Sequence, residues 1–496
     1  MNKRFFKALV LLITVLLLSS CANQKESELI ESVEQLNGKD LGCMSGSIFD
    51  QLIKEKFPDS NIIYFNSRSE LLLALTTGKI EGFVSDEPVA MMMISQNDNV
   101  NYLDEAVGNV EYGICFSDES KDKLLQFNEY LLKIELNGHL KQLQDKWISV
   151  DGSNQKKEEY VLSGENGVLR CVTTPDAAPF SFMFNNEFQG FEVELLNEFC
   201  YEYGYDLEIN TVAFDALLTS VAMNKYDVAF NGIYITEERA KSVNFCSPTY
   251  KADDVVMVRN NNVNENTNII DSIKDSIYKD FIEEDRYKLL LSGAFTTLLI
   301  SVLSIVFGSG YGLLMYILSR ISKGFKKFMD YESKVVAKLP AIVILMILFY
   351  EVFRTSSING VTVSIIGFSF IFGNTFYNLL NTGVASVDKG QDEAAMALGY
   401  EKWLAFFHII LPQALKTILD PYIMEVIALI KNTSIVGYVS VNDITRSSYI
   451  IRGRTYDAIF PLLILAIIYY FLCSLLVWVI KVPIRAYITR KVNYND

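Results

Sequence analysis

The side chains of this 496-residue chain that could do chemistry exclude more than they assign. Its two histidines, His139 and His408, come with no Cys-x-x-Cys and no Cys/His cluster, so a metal centre or a histidine-dependent triad lacks its parts. No G-x-x-x-x-G-K-[ST] string occurs, so the phosphate cradle of a nucleotide hydrolase is missing. Cys43, Cys115, Cys171, Cys200 and Cys246 lie in or beside apolar or helical runs and read as buried thiols acting as small hydrophobes. Taken alone, Arg239 on the stretch Glu237–Lys241 is a surface arginine, and Asp86 in Ser85-Asp86-Glu87-Pro88 is a turn aspartate. The stretch that stands out is Gly390-Gln391-Asp392-Glu393-Ala394-Ala395-Met396-Ala397-Leu398-Gly399, followed by Ile409-Ile410-Leu411-Pro412-Gln413-Ala414. Ala394, Ala395, Ala397 and Gly399 leave a helix surface with little bulk, against which another protein can sit closely. Glu393 near that helix's start complements the positive dipole end, and Pro412 stops or bends the next helix.

Those residues must be held by elements of two kinds. Half the chain is hydrophobic, yet the net charge is −15. The charge divides into −23 before Arg286 and +8 from Arg286 onward, which predicts two environments. Five spans are expected near 288–318, 336–355, 360–380, 417–440 and 458–482. Glu351, Glu425 and Lys431 within them mark bundle helices rather than simple anchors. Six basic residues in Arg320–Lys338 and four from Lys481 onward belong on the inner side. Five spans beginning outside then leave the Gly390–Ala414 loop and the C-terminus in the cytoplasm. Gly308-Ser309-Gly310-Tyr311-Gly312 reads as small residues for close helix packing, since an ion filter needs a re-entrant segment and this string runs on into Leu313. At the other end, Lys3 and Arg4 precede the apolar run Ala8–Leu18, an export signal. Leu18-Ser19-Ser20-Cys21 predicts acylation of Cys21 after cleavage, the alternative being an uncleaved anchor.

Between these ends the chain alternates strand, turn and helix signals. Val168–Val172, Asp206–Val212 and Asp227–Phe230 read as strands, and Glu192–Tyr203 and Ala216–Lys225 as helices, an α/β lobe with a parallel sheet. Further upstream, Ile62–Phe65 and Glu81–Val84 read as strands with the helix Glu70–Thr77 between them. Asp86 then falls at a strand's carboxyl end, where open α/β sheets place ligands.

Three sets of motifs carry a resemblance. The Glu393…Gly399…Leu411-Pro412 spacing resembles the coupling loop of ABC importer permeases, which docks into a separate ATP-hydrolysing subunit through Gly390, Gln391, Glu393, Ala394, Ala395 and Gly399. Pro179-Phe180-Ser181-Phe182, Gly190-Phe191-Glu192-Val193-Glu194 and Gly232-Ile233-Tyr234-Ile235-Thr236-Glu237-Glu238-Arg239, with Val243–Tyr250, resemble the first lobe of bacterial polar-amino-acid-binding proteins. Leu36–Cys43, the Ser45-Gly46-Ser47 turn, Asp86 and the run to Trp147 resemble the second lobe, here placed before the first. Either the two form one circularly permuted clamshell or both are decayed fragments. Under the resemblance, Arg239 pairs with an amino acid's carboxylate, with Ser47 and the Gly232 backbone as further donors, while Asp86 holds the ammonium and Phe214 covers the aliphatic part. Thr174 stands where many members carry an Asp, Ala177 replaces the usual aromatic, and Tyr234 replaces a small hydroxyl residue. Side-chain preference is therefore not transferred, although Asp176 lies near Thr174. In the permease the usual Arg-Gly-Thr-Pro reads Ala337-Lys338-Leu339-Pro340.

The expected architecture is an α/β two-lobe type II periplasmic-binding-protein-like domain, permuted, followed by an all-α five-helix type I ABC importer transmembrane domain. Its divisions are a signal with lipobox (1–21), a lobe-2-like part (36–150), a linker (151–164), a lobe-1-like part (165–265), a linker (266–285) and a permease (286–492). The expected function is uptake of a polar amino acid across the bacterial cytoplasmic membrane, with the binding lobes outside. The chain is expected to hold no cofactor, ATP and Mg being bound by a partner ATPase, and to act as a homodimeric permease or a heterodimer, without nucleic acid. A ligand-gated channel and a non-transporting sensor are the alternatives. A channel inserts its pore between the lobes, whereas here both lobes precede every span.

Overall fold

The computed structural model describes residues 30–492 except 46, 150–154, 185–186, 261–273, 355–357 and 458. The predicted signal, Cys21, Gly46 and parts of both linkers lie outside the described residues. Four strands, β1 (Asp40–Met44), β2 (Asn61–Phe65), β3 (Gly82–Asp86) and β4 (Val100–Tyr112), precede the short β5 (Cys115–Phe116). After the first linker come β6 (Val168–Thr173), a small antiparallel layer of β7 (Asp176–Ala177), β8 (Ser181–Phe184) and β9 (Glu187–Gln189), then β10 (Asp206–Thr211), β11 (Val228–Ala229), β12 (Asn244–Phe245) and β13 (Tyr250–Arg259).

The two large sheets repeat one order, β2-β1-β3-β13-β4 and β10-β6-β11-β5-β12. In each, three parallel strands are joined by helical crossovers, as parallel pairing requires. The expected parallel sheet is in fact mixed: β13 runs antiparallel between β3 and β4, and β5 antiparallel between β11 and β12. The reason is reciprocity. Each sheet's fourth strand comes from the other segment of the chain, so β13 enters the first sheet and β5 the second. Sheet membership therefore cuts across the division at 150/165. The helices Lys121–Leu136 and His139–Trp147 also pack with the second sheet's helix Phe191–Tyr203, through Tyr130 and His139 to Glu198 and Lys146 and Trp147 to Glu194. Two crossings, at 113–114 and 246–249, tie the lobes together with backbone hydrogen bonds such as Gly113 N–H to Ile233 O at 2.9 Å and Cys246 N–H to Ile114 O at 3.0 Å.

Local sequence explains the helix starts. Ser67 caps Arg68–Thr76 by accepting from the Glu70 N–H at 3.2 Å, while the Glu70 carboxylate accepts from the Asn66 N–H at 3.1 Å, a reciprocal capping arrangement. That pins Arg68 as the first helical residue, at the carboxyl end of β2. The five buried thiols are free, and burial raises Cys200 and Cys246 to about 12, which keeps them unreactive.

Among the described residues four helices are long and apolar enough to cross a membrane, Tyr287–Ile321, Gly360–Ala385, Lys402–Val439 and Phe460–Ile484. The expected span at 336–355 is instead a seven-residue helix, Ala341–Ile347, plus a five-residue π turn to Val352. It meets the preceding helix Lys323–Val336 at 105° across Leu339-Pro340. At ~1.5 Å per residue it is about 18 Å long, short of the ~30 Å hydrocarbon core, and a neighbour at 105° adds little to that depth. Pro340 sits as its cap, where a missing N–H costs nothing. Pro412 does not stop its helix either. The turn Phe406–Ile410 widens to π spacing just before it, and helix continues to Asn432, a known accommodation. Gly308 and Gly312 face the helix Gly360–Ala385, where a Cβ would lie 2.9 Å from Ser369 O and 2.5 Å from Gly373 O, so the glycine string serves helix contact.

Two predictions follow from the packing of the lobes. Glu194 is buried and holds Lys146 at 2.7 Å together with the Trp147 indole N–H. Glu194→Ala strands that buried donor and removes the partner of a cation, and should cost about 2–4 kcal/mol in denaturant unfolding of the 30–260 region; a loss under 0.5 kcal/mol would contradict this. Asp254 lies opposite Asp86 in the β13/β3 register, and burial, then the Asp86 charge, raise its carboxyl to about 7. Because the unfolded value is about 3.9, the folded state holds the extra proton between about pH 4 and 7, and stability falls as pH rises through that window. Urea midpoints at pH 4.5 and 7 should therefore drop less for Asp254→Asn than for the wild-type chain.

Candidate functional site

The sheets bring their carboxyl ends together at Asp86, which ends β3 and begins the helix Glu87–Gln96. Its buried carboxylate accepts from the Tyr112 hydroxyl at 2.7 Å and the Tyr234 hydroxyl at 2.9 Å. Tyr112 belongs to the same sheet as Asp86 and Tyr234 to the other lobe, so the Tyr234 bond closes the cleft. Burial, then the Asp86 charge, push both phenols well above their ordinary range, which keeps them as donors. Tyr234 also meets Phe49 edge-on at 5.5 Å and Tyr112 at 5.2 Å. The cavity between these side chains is lined by Ser47, Arg68, Asp86, Phe214, Gly232 and Tyr234 among others, and has about 20 Å³ of free volume. That holds roughly one water, not an amino acid, so entry of any larger molecule requires the lobes to part.

The expected residues fall into two groups. Asp86, Ser47, Phe214, Gly232 and Tyr234 line this cavity. Arg239 and Thr174 are not among its lining residues. Arg239 sits half-buried on the turn Arg239–Lys241, donates to the Tyr234 carbonyl at 3.2 Å, and has its pKa lowered by burial. Thr174 is buried, its hydroxyl donating to Asn231 Oδ1 at 2.7 Å. Gly232 takes a left-handed φ of +61°, and a Cβ there would lie 2.7 Å from the Phe180 ring. Its N–H, expected to face a ligand, donates to the Glu192 carboxylate at 2.8 Å. Burial raises Glu192 to about 7, the Gly232 and Asn231 N–H groups opposing.

Arg68 is the cation the sequence reading missed. Burial works against its charge, but Asp86, Asp176, Tyr456 and Tyr234 hold its pKa up. The signal was present, since Ser67-Arg68-Ser69-Glu70 is a capped helix start at a strand's carboxyl end, the position that open α/β sheets turn toward ligands.

A helix of the membrane part, Ile444–Thr455, lies against both lobes. Tyr449 donates to Asn66 O at 2.9 Å and Arg452 pairs with Glu70 at 3.4 Å on one lobe. On the other, Arg446 donates to Val212 O at 2.6 Å, Arg454 stacks over Phe182 at 5.0 Å, and a Cβ on Gly453 would lie 2.3 Å from the Asp176 Cβ. Further contacts join Tyr226 to Ser440 and Lys225 to Phe353 O.

At the opposite end of the bundle, Asp388 caps the helix Lys389–Ala397 by accepting from the Gly390 N–H at 2.6 Å. Gly390, Gln391, Glu393 and Ala394 are exposed, whereas Ala395 is turned inward and buried. Gln391 accepts from the Gln413 amide at 3.3 Å. Gly399 ends the helix at φ +84°, with the Tyr400 N–H on Ala395 O and its own N–H on Met396 O, a left-handed cap that suits glycine. Around it Leu398, at 79% exposure, Tyr400, Trp403 and Leu404 leave an apolar surface uncovered in this chain.

Residues 169–404 match the bacterial extracellular solute-binding proteins, family 3. The "Putative glutamine transport system permease protein GlnP" of Rickettsia felis is 31% identical over 199 residues, covering 90% of that protein and 39% of this chain. The arginine transport system permease protein ArtQ of Bacillus subtilis is 30% identical over 212 residues, covering 94% of that protein and 42% of this chain. A crystal structure of an amino acid ABC transporter with histidines aligns at 25% identity and a TM-score of 0.36, over 99% of its chain and 45% of this one. Permease relatives covered almost from end to end decide the assignment: the chain belongs to the permeases of amino-acid ABC importers, with a solute-binding domain fused into the same polypeptide.

Proposed function

We propose that this chain imports a polar amino acid, its two lobes forming one circularly permuted clamshell that delivers the ligand to the permease to which it is fused. The observation that carries the reading is the bipartite cleft, in which the Asp86 carboxylate of one lobe is bonded to Tyr234 of the other at 2.9 Å. A zwitterion entering the opened cleft replaces those phenol bonds with its ammonium on Asp86. Its carboxylate goes to Arg68 or Arg239, whose guanidinium forks suit bidentate pairing. The reading also supposes five spans with the lobes outside and the C-terminus inside. The helix Ala341–Val352 counts as the second span, and Arg320–Lys338, which includes the bent helix Lys323–Val336, lies on the inner side with its six basic residues. ATP and Mg are bound by a partner ATPase, which sits on Gly390–Gly399 and the apolar surface beside it. Two permease copies, identical or different, enclose the path.

Two measurements test this. In calorimetry of the 30–260 region against Gln, Glu, Asn, Arg, His and cystine, one amino acid should bind per chain. Asp86→Ala should weaken it by roughly thirty-fold to several-thousand-fold, since truncating one member of a desolvated charge pair costs about 2–5 kcal/mol at ~1.4 kcal/mol per tenfold. Silence toward the whole panel would leave the decayed-fragment alternative standing. In the second, Gly399→Trp forces a bulky residue into a left-handed conformation on the exposed cap. It should abolish uptake and ligand-stimulated ATP hydrolysis while leaving binding intact; unchanged stimulation would move the ATPase contact elsewhere.

A further inference from the structure

A second cavity, of about 250 Å³, lies where the lobes meet the permease. Ser45 and Asn66 line it from one lobe, Phe214 and Asp215 from the other, and Tyr438 and Arg446 from the membrane part. It is more than ten times roomier than the cleft cavity, and just below the ~300 Å³ at which drug-sized pockets begin, so it suits a small metabolite. Phe214 lines both cavities and is the side chain they share across the lobe boundary.

The polar groups here are complementary. Arg446 is buried, and its Nη2 donates to Val212 O at 2.6 Å, but its Nε has no hydrogen-bond partner among the described residues. A buried guanidinium nitrogen without an acceptor is costly and calls for one. The neighbouring carboxylate does not serve: Asp443 is occupied capping its own helix, accepting from the Arg446 N–H at 2.9 Å and the Thr445 N–H at 3.1 Å. Asp215 is exposed at the cavity's edge and forms no ion pair among the described residues. A buried cation whose Nε lacks an acceptor, an exposed carboxylate without an ion pair and flanking aromatics match the charge pattern of a free α-amino acid, which adds no net charge on entering.

We propose that this cavity is a transfer site for an α-amino acid between cleft and permease. Arg446 receives the carboxylate, Asp215 receives the ammonium, and Phe214 is the gate the ligand passes on leaving the cleft. This rests on the amino-acid reading above, and the two fail differently. The test uses the full chain: calorimetry on it in nanodiscs, and uptake of labelled L-glutamine, L-arginine and L-histidine by the native cells carrying Arg446→Gln or Asp215→Asn. Expected are equilibrium affinities within about threefold of wild type, a maximal uptake rate reduced tenfold or more by Arg446→Gln and at least threefold by Asp215→Asn, and an unchanged half-saturating concentration. Asp215→Asn should also relax discrimination against the des-amino analogue of the transported amino acid, which a merely structural role would not do. Maximal uptake within twofold of wild type in both variants overturns the transfer site, as does an equal fall of binding and uptake. If Arg446→Gln fails to reach the membrane, the Asp215→Asn rate and analogue readout decide. A wild-type chain that neither binds nor takes up any of Gln, Glu, Asn, Arg, His and cystine overturns the amino-acid reading, and the transfer site with it.

Discussion

The structure depends on a reciprocal debt between two chain segments: neither large sheet is complete without a strand from the other. β13 fills the gap between β3 and β4 and is hydrogen-bonded along both edges. β5 does the same between β11 and β12 with only two residues. Remove β13 and β4 loses its pairing partner while β3 exposes an edge, a state proteins avoid. The segments on either side of the first linker are therefore one folding unit, and the cleft between the sheets follows from that exchange rather than from surface docking of two finished lobes. Among the described residues the two crossings are the backbone routes between the sheets, since the chain from β5 to β12 stays with the second sheet, which gives the lobes a narrow hinge.

What the sequence revealed and what it concealed divide along a physical line. Strands β2, β3, β6, β10 and β11 and the helix Phe191–Tyr203 were legible because their signals are local. The mixed character of the sheets was not, because β5 is a two-residue strand and β13 pairs with residues well over a hundred positions away. Membrane helices showed the same split. Four were read from length and apolarity alone, while Ala341–Val352 passed as a full span because hydropathy does not register a 105° bend. Pro412 misled in the opposite direction: a proline rule written for regular helices does not foresee a π turn that absorbs the missing bond.

In the cleft, the family resemblance marked Asp86 and Tyr234 but not their company. Sequence reasoning supplied Arg239 as the cation, yet Arg68 is the one that lines the closed cavity. It was passed over because an arginine at a helix start looks like any solvated charge until the fold turns that start inward. Gly232 shows the complementary case. Its backbone was expected to donate to a ligand, whereas its N–H is committed to Glu192, a carboxylate forty residues upstream that is buried at the start of a helix.

The helix Ile444–Thr455 links these local facts to conformational change. It touches one lobe through Asn66 and Glu70 and the other through Val212, Phe182 and Asp176. Because it contacts both, the lobes cannot part without breaking one set of its contacts. Opening at the cleft and rearrangement at the membrane face are thus parts of one equilibrium. A ligand shifts that equilibrium only by the difference in its affinity for the closed and parted states. The closed state described here has Asp86 satisfied by two phenols and room for about one water. Its stability without ligand is therefore a cost that every incoming ligand must first overcome, and the bonds from Tyr112 and Tyr234 to Asp86 set part of that cost.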